Sequence, residues 1–129
     1  MKLFLTALLM IAPSLGKAAI TSIQDYGTVA CGFYEKDKLL QKFEADLMTI
    51  LVDDHYARFR QVRIVVNGLQ VQYQILIEET GTTSKDGQVQ LLQNLMIDGK
   101  ETTLDKPAKD LSQVETQNGD YQVKCLVKK

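Results

Sequence analysis

The sequence predicts an α+β fold, with one N-terminal amphipathic helix packed on an antiparallel meander of about four to five strands. Two patterns predict it. Apolar residues recur at three-to-four-residue spacing between residue 35 and about residue 52, which is typical of a helix with one buried stripe. In later segments they alternate with polar residues, which is typical of half-buried strands. The expected order is one strand, the helix and then the remaining strands.

The length and composition indicate one globular domain. The chain has 129 residues, of which 45% are hydrophobic and 24% are charged, as in ordinary globular proteins. Its formal net charge of −1 argues against a nucleic-acid partner, because nucleic-acid-binding domains usually carry a basic excess.

The predicted helix follows a predicted first strand at residues 28–34. Its apolar side chains form one stripe, and its lysines and carboxylates occupy the other side. Asp53, Asp54 and His55 are expected to end it. The stripe comprises Leu39, Leu40, Phe43, Leu47, Ile50 and Leu51.

Turn dipeptides separate the predicted strands. Asn67-Gly68 joins residues 58–66 to residues 69–77, and Asn-Gly favours a type I′ hairpin because both of its residues accept positive φ. Further dipeptides of this kind are Asp86-Gly87, Asp98-Gly99 and Asn118-Gly119. They bracket one more strand and precede the last one.

Residues 1–18 have the three-part pattern of a cleavable signal peptide. Lys2 precedes an apolar run that is too short to span a bilayer, and Gly16 and Ala18 supply small residues near the cleavage point. Cleavage is expected after Ala18, with Gly16 as the alternative, and a buried N-terminal helix is the competing interpretation. Residues 19–129 then form one exported domain, periplasmic or secreted, without a further membrane span.

Cys31 and Cys125 are the two cysteines, near the two ends of the exported domain. An even pair in an exported protein predicts a disulfide, with free thiols or a metal pair as alternatives. In the chain-entropy model such a long loop stabilises the fold by roughly 4–5 kcal/mol. With one histidine in the chain, a four-ligand zinc site would need distant carboxylates, so no metal is expected.

Glutamines recur on one side of the strand at residues 69–77. Gln70, Gln72 and Gln74 alternate with apolar residues and therefore share one strand face. Neutral amides do little to repel an approaching strand, so this face is a candidate for partner binding, although a hydrated outer surface is the plainer interpretation. The face is expected to extend to Gln61, Gln88, Gln90 and Gln93.

No catalytic motif is evident in the sequence. His55 is the only histidine, and no serine of the exported chain lies in a Gly-x-Ser-x-Gly context. His55 is expected to be exposed at the helix end. No phosphate-binding glycine loop or calcium loop is present. We therefore predict a protein that is not an enzyme, has no catalytic residues and binds no cofactor or metal.

The hairpin segment Ile64-Val65-Val66-Asn67-Gly68 resembles the Gln-Val-Val-Ala-Gly hairpin of cystatins, and the predicted order of elements is also similar to the cystatin fold. The resemblance implies a cysteine-protease inhibitor that inserts the turn at residues 65–68 into a protease cleft, helped by a segment near Gly27. Ile64 stands where cystatins have glutamine, and Asn67 stands where they have alanine.

A second local similarity concerns the segment Ala57-Arg58-Phe59, with Ile64, Val66-Asn67 and Tyr73-Gln74. These residues are similar to the strand pair of a periplasmic curli-assembly factor. That similarity implies a chaperone-like accessory for fibre export.

The leading hypothesis is a non-enzymatic exported protein-binding module, an accessory or chaperone-like factor of an envelope, secretion or surface-assembly system. Its expected partner is another protein in the envelope or extracellular space. The alternatives are a cystatin-like protease inhibitor and a small-molecule carrier with a pocket between helix and sheet. The residues predicted to bind the partner are Val65, Val66, Asn67, Gly68, Gln70, Gln72 and Gln74.

Overall fold

The protein is a sandwich of two antiparallel sheets. A computed structural model describes residues 23–79 and 88–129, and most of them lie in strands. After a 3₁₀ turn at Ile23–Asp25 come β1 (Thr28–Glu35), β2 (Lys38–Asp46), β3 (Met48–Val52), β4 (His55–Val66), β5 (Leu69–Glu78), β6 (Val89–Ile97), β7 (Lys100–Ala108), β8 (Val114–Asn118) and β9 (Tyr121–Lys128). The four-stranded sheet has the order β2-β1-β9-β8, and the five-stranded sheet has the order β3-β4-β5-β6-β7.

The predicted α+β fold with an N-terminal helix is wrong. The segment assigned to the helix forms β2 and β3, and the 3₁₀ turn is the only helical element among residues 23–79 and 88–129. The cystatin-like order depends on that helix, so it is wrong as well. A ligand pocket between helix and sheet has no helix to form it in the described part of the chain.

A bulge and a change of sheet produce the helix-like spacing. β2 bulges opposite the step from Phe33 to Tyr34, so that Leu40 is an extra residue in the strand. The extra residue puts Leu40 and Phe43 three positions apart, although both pack against the core. Beyond Leu47 the chain enters the other sheet, where the phase of the alternation is different. When the spacing of apolar residues is read across both the bulge and the change of sheet, it gives an apparent period of three to four residues.

The chain changes sheets at Leu47, between β2 and β3. Leu47 is buried, and its N–H donates to the carbonyl oxygen of Gly27 at 2.8 Å. Arg58 of β4 holds the same point, because its Nε donates to the Tyr26 carbonyl at 2.8 Å and its Nη2 donates to the Leu47 carbonyl at 2.9 Å. Its Nη1 also donates to Thr49 Oγ1. One guanidinium thus holds together three parts of the chain: the segment before β1, the point where the chain changes sheets, and β3.

Tight turns connect several neighbouring strands. Asn67 and Gly68 have φ angles of 50° and 82°, and the predicted hairpin between β4 and β5 is confirmed. The Asp98-Gly99 turn between β6 and β7 has the same signs of φ. Two turns with positive φ and no glycine were not predicted from the sequence: Lys36-Asp37 joins β1 to β2, and Asp53 lies between β3 and β4.

The core lies between the two sheets and takes side chains from both. Phe33 of β1 is fully buried and stacks on Tyr121 of β9, with ring centroids 5.5 Å apart. Asn118 of β8 links the two sheets, since its side-chain amide donates to the carbonyls of Leu95 and Lys100 at 3.0 and 2.9 Å. The largest fully buried side chains of the five-stranded sheet are Tyr73, Ile75, Ile77, Leu91, Leu95 and Gln93.

The predicted disulfide between Cys31 and Cys125 is present. The two residues are directly opposite each other on β1 and β9, both are buried, and they are 94 positions apart in the chain. The bond joins the first and last strands, so it constrains nearly the whole unfolded domain. It is compatible with an oxidising compartment, where disulfides persist.

Some expectations concern other parts of the chain or the membrane. The predicted signal peptide at residues 1–18 and the Asp86-Gly87 turn lie outside the described residues. In the segments that are described, we find no helix with the length and hydrophobicity needed to cross a bilayer.

Replacing Arg58 with alanine should destabilise the fold strongly, because it leaves the Tyr26 and Leu47 carbonyls without their charged donor. We expect the free energy of unfolding to fall by about 2–4 kcal/mol, since each buried polar group that loses its partner costs roughly 1–3 kcal/mol. Arg63→Ala, at an exposed position of the same strand, should cost less than about 0.5 kcal/mol. Urea denaturation of the oxidised proteins measures both changes, and equal effects would contradict the role of Arg58.

Candidate protein-binding surface

The outer face of the five-stranded sheet points away from the four-stranded sheet, and alternate residues of each strand lie on it. Gln70, Gln72 and Gln74 of β5 share this face, because the residues between them are buried in the core. The register between β4 and β5 places Gln61 and Arg63 on the same face.

An amide row crosses the middle of the outer face. It consists of Gln61, Gln74, Asn94 and Thr103, which are directly opposite one another on β4 to β7. The Gln74 amide donates to Gln61 Oε1 at 2.6 Å, and the Asn94 amide donates to Thr103 Oγ1 at 2.9 Å. The Asn94 amide also donates to Glu101 Oε2 at 2.8 Å, so the amide row is neutral but bonds to a carboxylate beside it.

An apolar row lies beside the amide row, two residues along each strand. Met48, Phe59, Leu76 and Leu92 are directly opposite one another on β3 to β6. Met48 is 46% exposed, and the other three are partly buried. The outward residues of a sandwich are usually polar, so these four adjacent apolar residues are a candidate contact surface.

The predicted hairpin site is only partly accessible. Val65 is 61% exposed on the outer face, and Asn67 and Gly68 are exposed at the turn. Val66 is buried, with 5% of its surface exposed, because it points into the core. A partner at this turn can therefore contact Val65 but not Val66.

Arg63 contacts the glutamine side chains near the hairpin. Its Nε donates to Gln72 Oε1 at 3.0 Å. These two residues, with Gln70, Met96 and Gly99, border a depression of about 210 Å³. The structure thus brings the predicted glutamines together with a cation that the sequence analysis did not include.

Gln93 does not extend the glutamine face, contrary to the prediction. It points inward and is fully buried. Its Oε1 accepts a hydrogen bond from the Tyr73 hydroxyl at 2.6 Å, and its Nε2 donates to the Glu115 carbonyl at 3.1 Å. Burial raises the pKa of the Tyr73 phenol, which therefore remains a protonated donor. This polar chain connects β5 and β6 to β8 in the other sheet.

His55 begins β4 and does not lie at a helix end. Its Nε2 lies 2.7 Å from Glu78 Oε2 on the neighbouring strand. A histidine oriented by a carboxylate needs a nucleophile for covalent catalysis. Ser112 lies in the loop before β8, where its N–H donates to Asp110 Oδ1 at 2.9 Å.

Among residues 23–79 and 88–129, no group of three or more His, Cys, Asp or Glu side chains could hold a metal ion.

A larger depression, of about 630 Å³, lies on the outside of the four-stranded sheet. Gly32 makes room there for the Tyr34 ring, because a Cβ at position 32 would lie 2.8 Å from Tyr34 Cε1. Lys124 Nζ lies 4.8 Å from the centroid of the same ring. Lys42 and Glu44 also line the depression, so its charges are mixed and favour no single class of ligand.

The apolar row is the part of the candidate surface that sequence reasoning missed. The assignment of Met48 to a helix hid its place beside Phe59. One signal was available, because Leu76 follows Gln74 by two positions in an alternating strand and must share the face of the glutamines.

We compared the chain with protein-family models, curated proteins and solved structures. None of these comparisons found a significant match.

Replacing Gln93 with leucine should destabilise the sandwich by about 1–3 kcal/mol, because the Tyr73 hydroxyl and the Glu115 carbonyl would be left unpaired. Gln90→Leu is the matched control, since Gln90 lies three residues away on the same strand and bonds only to Asp105 at the surface among the described contacts. It should change stability by less than about 0.5 kcal/mol. Thermal and urea unfolding test this expectation, which fails if Gln90→Leu is the more destabilising change.

Proposed function

We propose that the protein is a non-enzymatic exported protein-binding module that serves as an accessory or chaperone-like factor of an envelope, secretion or surface-assembly system. The apolar row of Met48, Phe59, Leu76 and Leu92 carries the proposal. The partner is another protein in the envelope or extracellular space.

The arrangement of side chains on the outer face supports a protein partner. The apolar and amide rows contain no charged residue, and the charged residues of the face that lie beside these rows are Arg63, Glu78, Glu101 and Asp105. Protein interfaces have the same anatomy, with charge depleted at the centre and polar groups at the rim. Phe59 and Met48 belong to residue types that are enriched in such centres.

The disulfide supports export. Cys31 and Cys125 are paired in the folded domain, and the structure describes no free cysteine. Cytosolic proteins rarely keep such a bond, whereas exported proteins commonly do.

Export can be tested with the full chain in a bacterium that has two membranes. We expect the mature protein in the exported fraction, with Ala19 at its N-terminus and no titratable thiol. N-terminal sequencing and thiol titration provide the measurements. Full-length protein in the cytosol with both thiols free would contradict export.

Partner binding can be tested with a charge placed in the apolar row. The oxidised domain is used to capture its partner from the exported fraction of its native cells, and the purified partner is then titrated by calorimetry. Leu76→Lys should weaken binding at least about tenfold, because the interface would bury an unpaired charge. Leu126→Lys is the matched control, because Leu126 is 41% exposed on the other sheet. This variant should bind the partner with unchanged affinity.

The outcomes of that titration separate the hypotheses. Equal binding by both lysine variants would remove the apolar row from the interface. Failure to recover a partner, together with turnover of a substrate, would contradict the proposed function. Inhibition of a papain-like protease that is lost in Val65→Lys would assign the function to the hairpin turn.

A further inference from the structure

The strand β4 is longer than its pairing with β3, which leaves part of one side unpaired. β5 pairs with residues 57–66 of β4, but β3 pairs only with residues 55–59. Within residues 23–79 and 88–129, no strand pairs with the other side of residues 60–66. We call that side of residues 60–66 the open edge. It exists because β2, which precedes β3, turns into the four-stranded sheet at Leu47.

Three residues direct their backbone hydrogen-bonding groups out of the open edge. Val66 and Leu69 flank a two-residue turn, so their backbone N–H and C=O groups bond to each other. Hydrogen-bonded pairs alternate along an antiparallel ladder, and the even-numbered residues of β4 therefore direct their backbone groups toward β5. Gln61, Arg63 and Val65 therefore point their N–H and C=O groups away from β5. An unpaired row of this kind is a template for another strand.

The open edge is cationic. Arg60 and Arg63 are its charged residues, and no ion pair of the described residues includes either one. Arg63 donates to the neutral amide of Gln72 at 3.0 Å, and Arg60 Nη1 donates to the Asp46 backbone carbonyl at 3.4 Å. Arg60 Nε is buried without a hydrogen-bond partner among the described residues. A carboxylate is the complementary group for this edge.

A second copy of this chain fits the open edge poorly. If two copies paired their open edges about a two-fold axis, with all of residues 60–66 in the ladder, the axis would pass through the middle residue, Arg63. Arg63 would then lie directly opposite Arg63 of the other copy. The same pairing brings both copies of Arg60 to the ladder. Like charges directly opposite each other destabilise a strand pair. The charges therefore favour a different polypeptide.

We propose that the open edge binds an extended, carboxylate-bearing segment of a partner protein as an additional antiparallel strand. The inference rests on the proposed function, because it describes how the partner is held. The added strand bonds to the backbone of Gln61, Arg63 and Val65, and it ends where β3 begins at Met48. This limits it to about seven residues, and a carboxylate opposite Arg63 forms a charge-assisted hydrogen bond.

Amide hydrogen exchange tests whether the edge is open in the oxidised protein. The amides of Gln61, Arg63 and Val65 should exchange at least about tenfold faster than those of Val62 and Ile64, which bond to β5. Slow exchange at all five amides would overturn the proposal, because the edge would be covered within the chain. Protection that increases with protein concentration would also overturn it, because the occupant would be a second copy.

Strand addition is tested with a blocked seven-residue peptide, Thr-Val-Thr-Glu-Thr-Val-Thr, and with a matched peptide that has Lys in place of Glu. In NMR titrations the Glu peptide should slow exchange at the three outward amides and bind about tenfold more tightly than the Lys peptide. Arg63→Glu should reverse this preference. Lys106→Glu, an equal charge change at the exposed β7 edge of the same sheet, should leave it unchanged.

The results distinguish the mode of binding from the function itself. Absence of protection by either peptide, or a preference that Arg63→Glu does not alter, overturns strand addition. If partner capture that is sensitive to Leu76→Lys persists in that case, only the mode of binding fails. If that capture is absent too, the proposed function fails with it.

Discussion

The change of sheet at Leu47 is the constraint on which the rest of the structure depends. Without it, β2 and β3 would run as one long strand along a single sheet. A strand can leave its sheet in a buried place only if its freed backbone groups find other partners. Gly27 and the Arg58 guanidinium supply them, so the Leu47 N–H and the Tyr26 and Leu47 carbonyls are all hydrogen-bonded at the crossing. Because of the same crossing, β3 begins only at Met48, and the remainder of β4 is left unpaired on that side.

The disulfide and the buried polar chain complement the crossing at other points of the sandwich. Cys31 and Cys125 join the first and last strands, and the loop they close contains most of the core. Gln93 connects the sheets through the centre, where its hydrogen bonds to Tyr73 and Glu115 are shielded from water. A buried polar group with both partners in place specifies one alignment of the two sheets, because any slip would leave it unsatisfied. The sheets are therefore held in a fixed alignment, and the rows on the outer face depend on that alignment.

Local patterns predict much of the fold, and long-range features account for the errors. Alternation and turn dipeptides depend on near neighbours, so β4, β5, β6 and β9 are correctly predicted, whereas β7 and β8 are not. Cysteine pairing follows from the expected compartment. The bulge at Leu40 and the crossing at Leu47 are consequences of pairing with distant strands, and they shift the phase of the alternation until it matches a helix. The candidate site divides in the same way. Gln74 and its neighbours share a face by parity alone, whereas the inward direction of Gln93 depends on the phase of its own strand. The apolar row requires the register of four strands, which no local pattern contains.

The outer face and the open edge meet in the same residues, and this joint position has a consequence for the kind of partner. Gln61, Arg63 and Val65 place their side chains on the face and their backbone groups at the edge. A strand added there extends the amide row with its own side chains and lies in line with Met48 of the apolar row. Backbone pairing accepts almost any sequence, so selectivity comes from the side chains. The two rows carry no charge, and Arg63 is the charged residue of the outer face at the open edge, so the side chains select weakly. Such a surface suits short extended segments of many sequences, which are accessible in proteins that have not yet completed their assembly. This is the property that an accessory or chaperone-like factor requires.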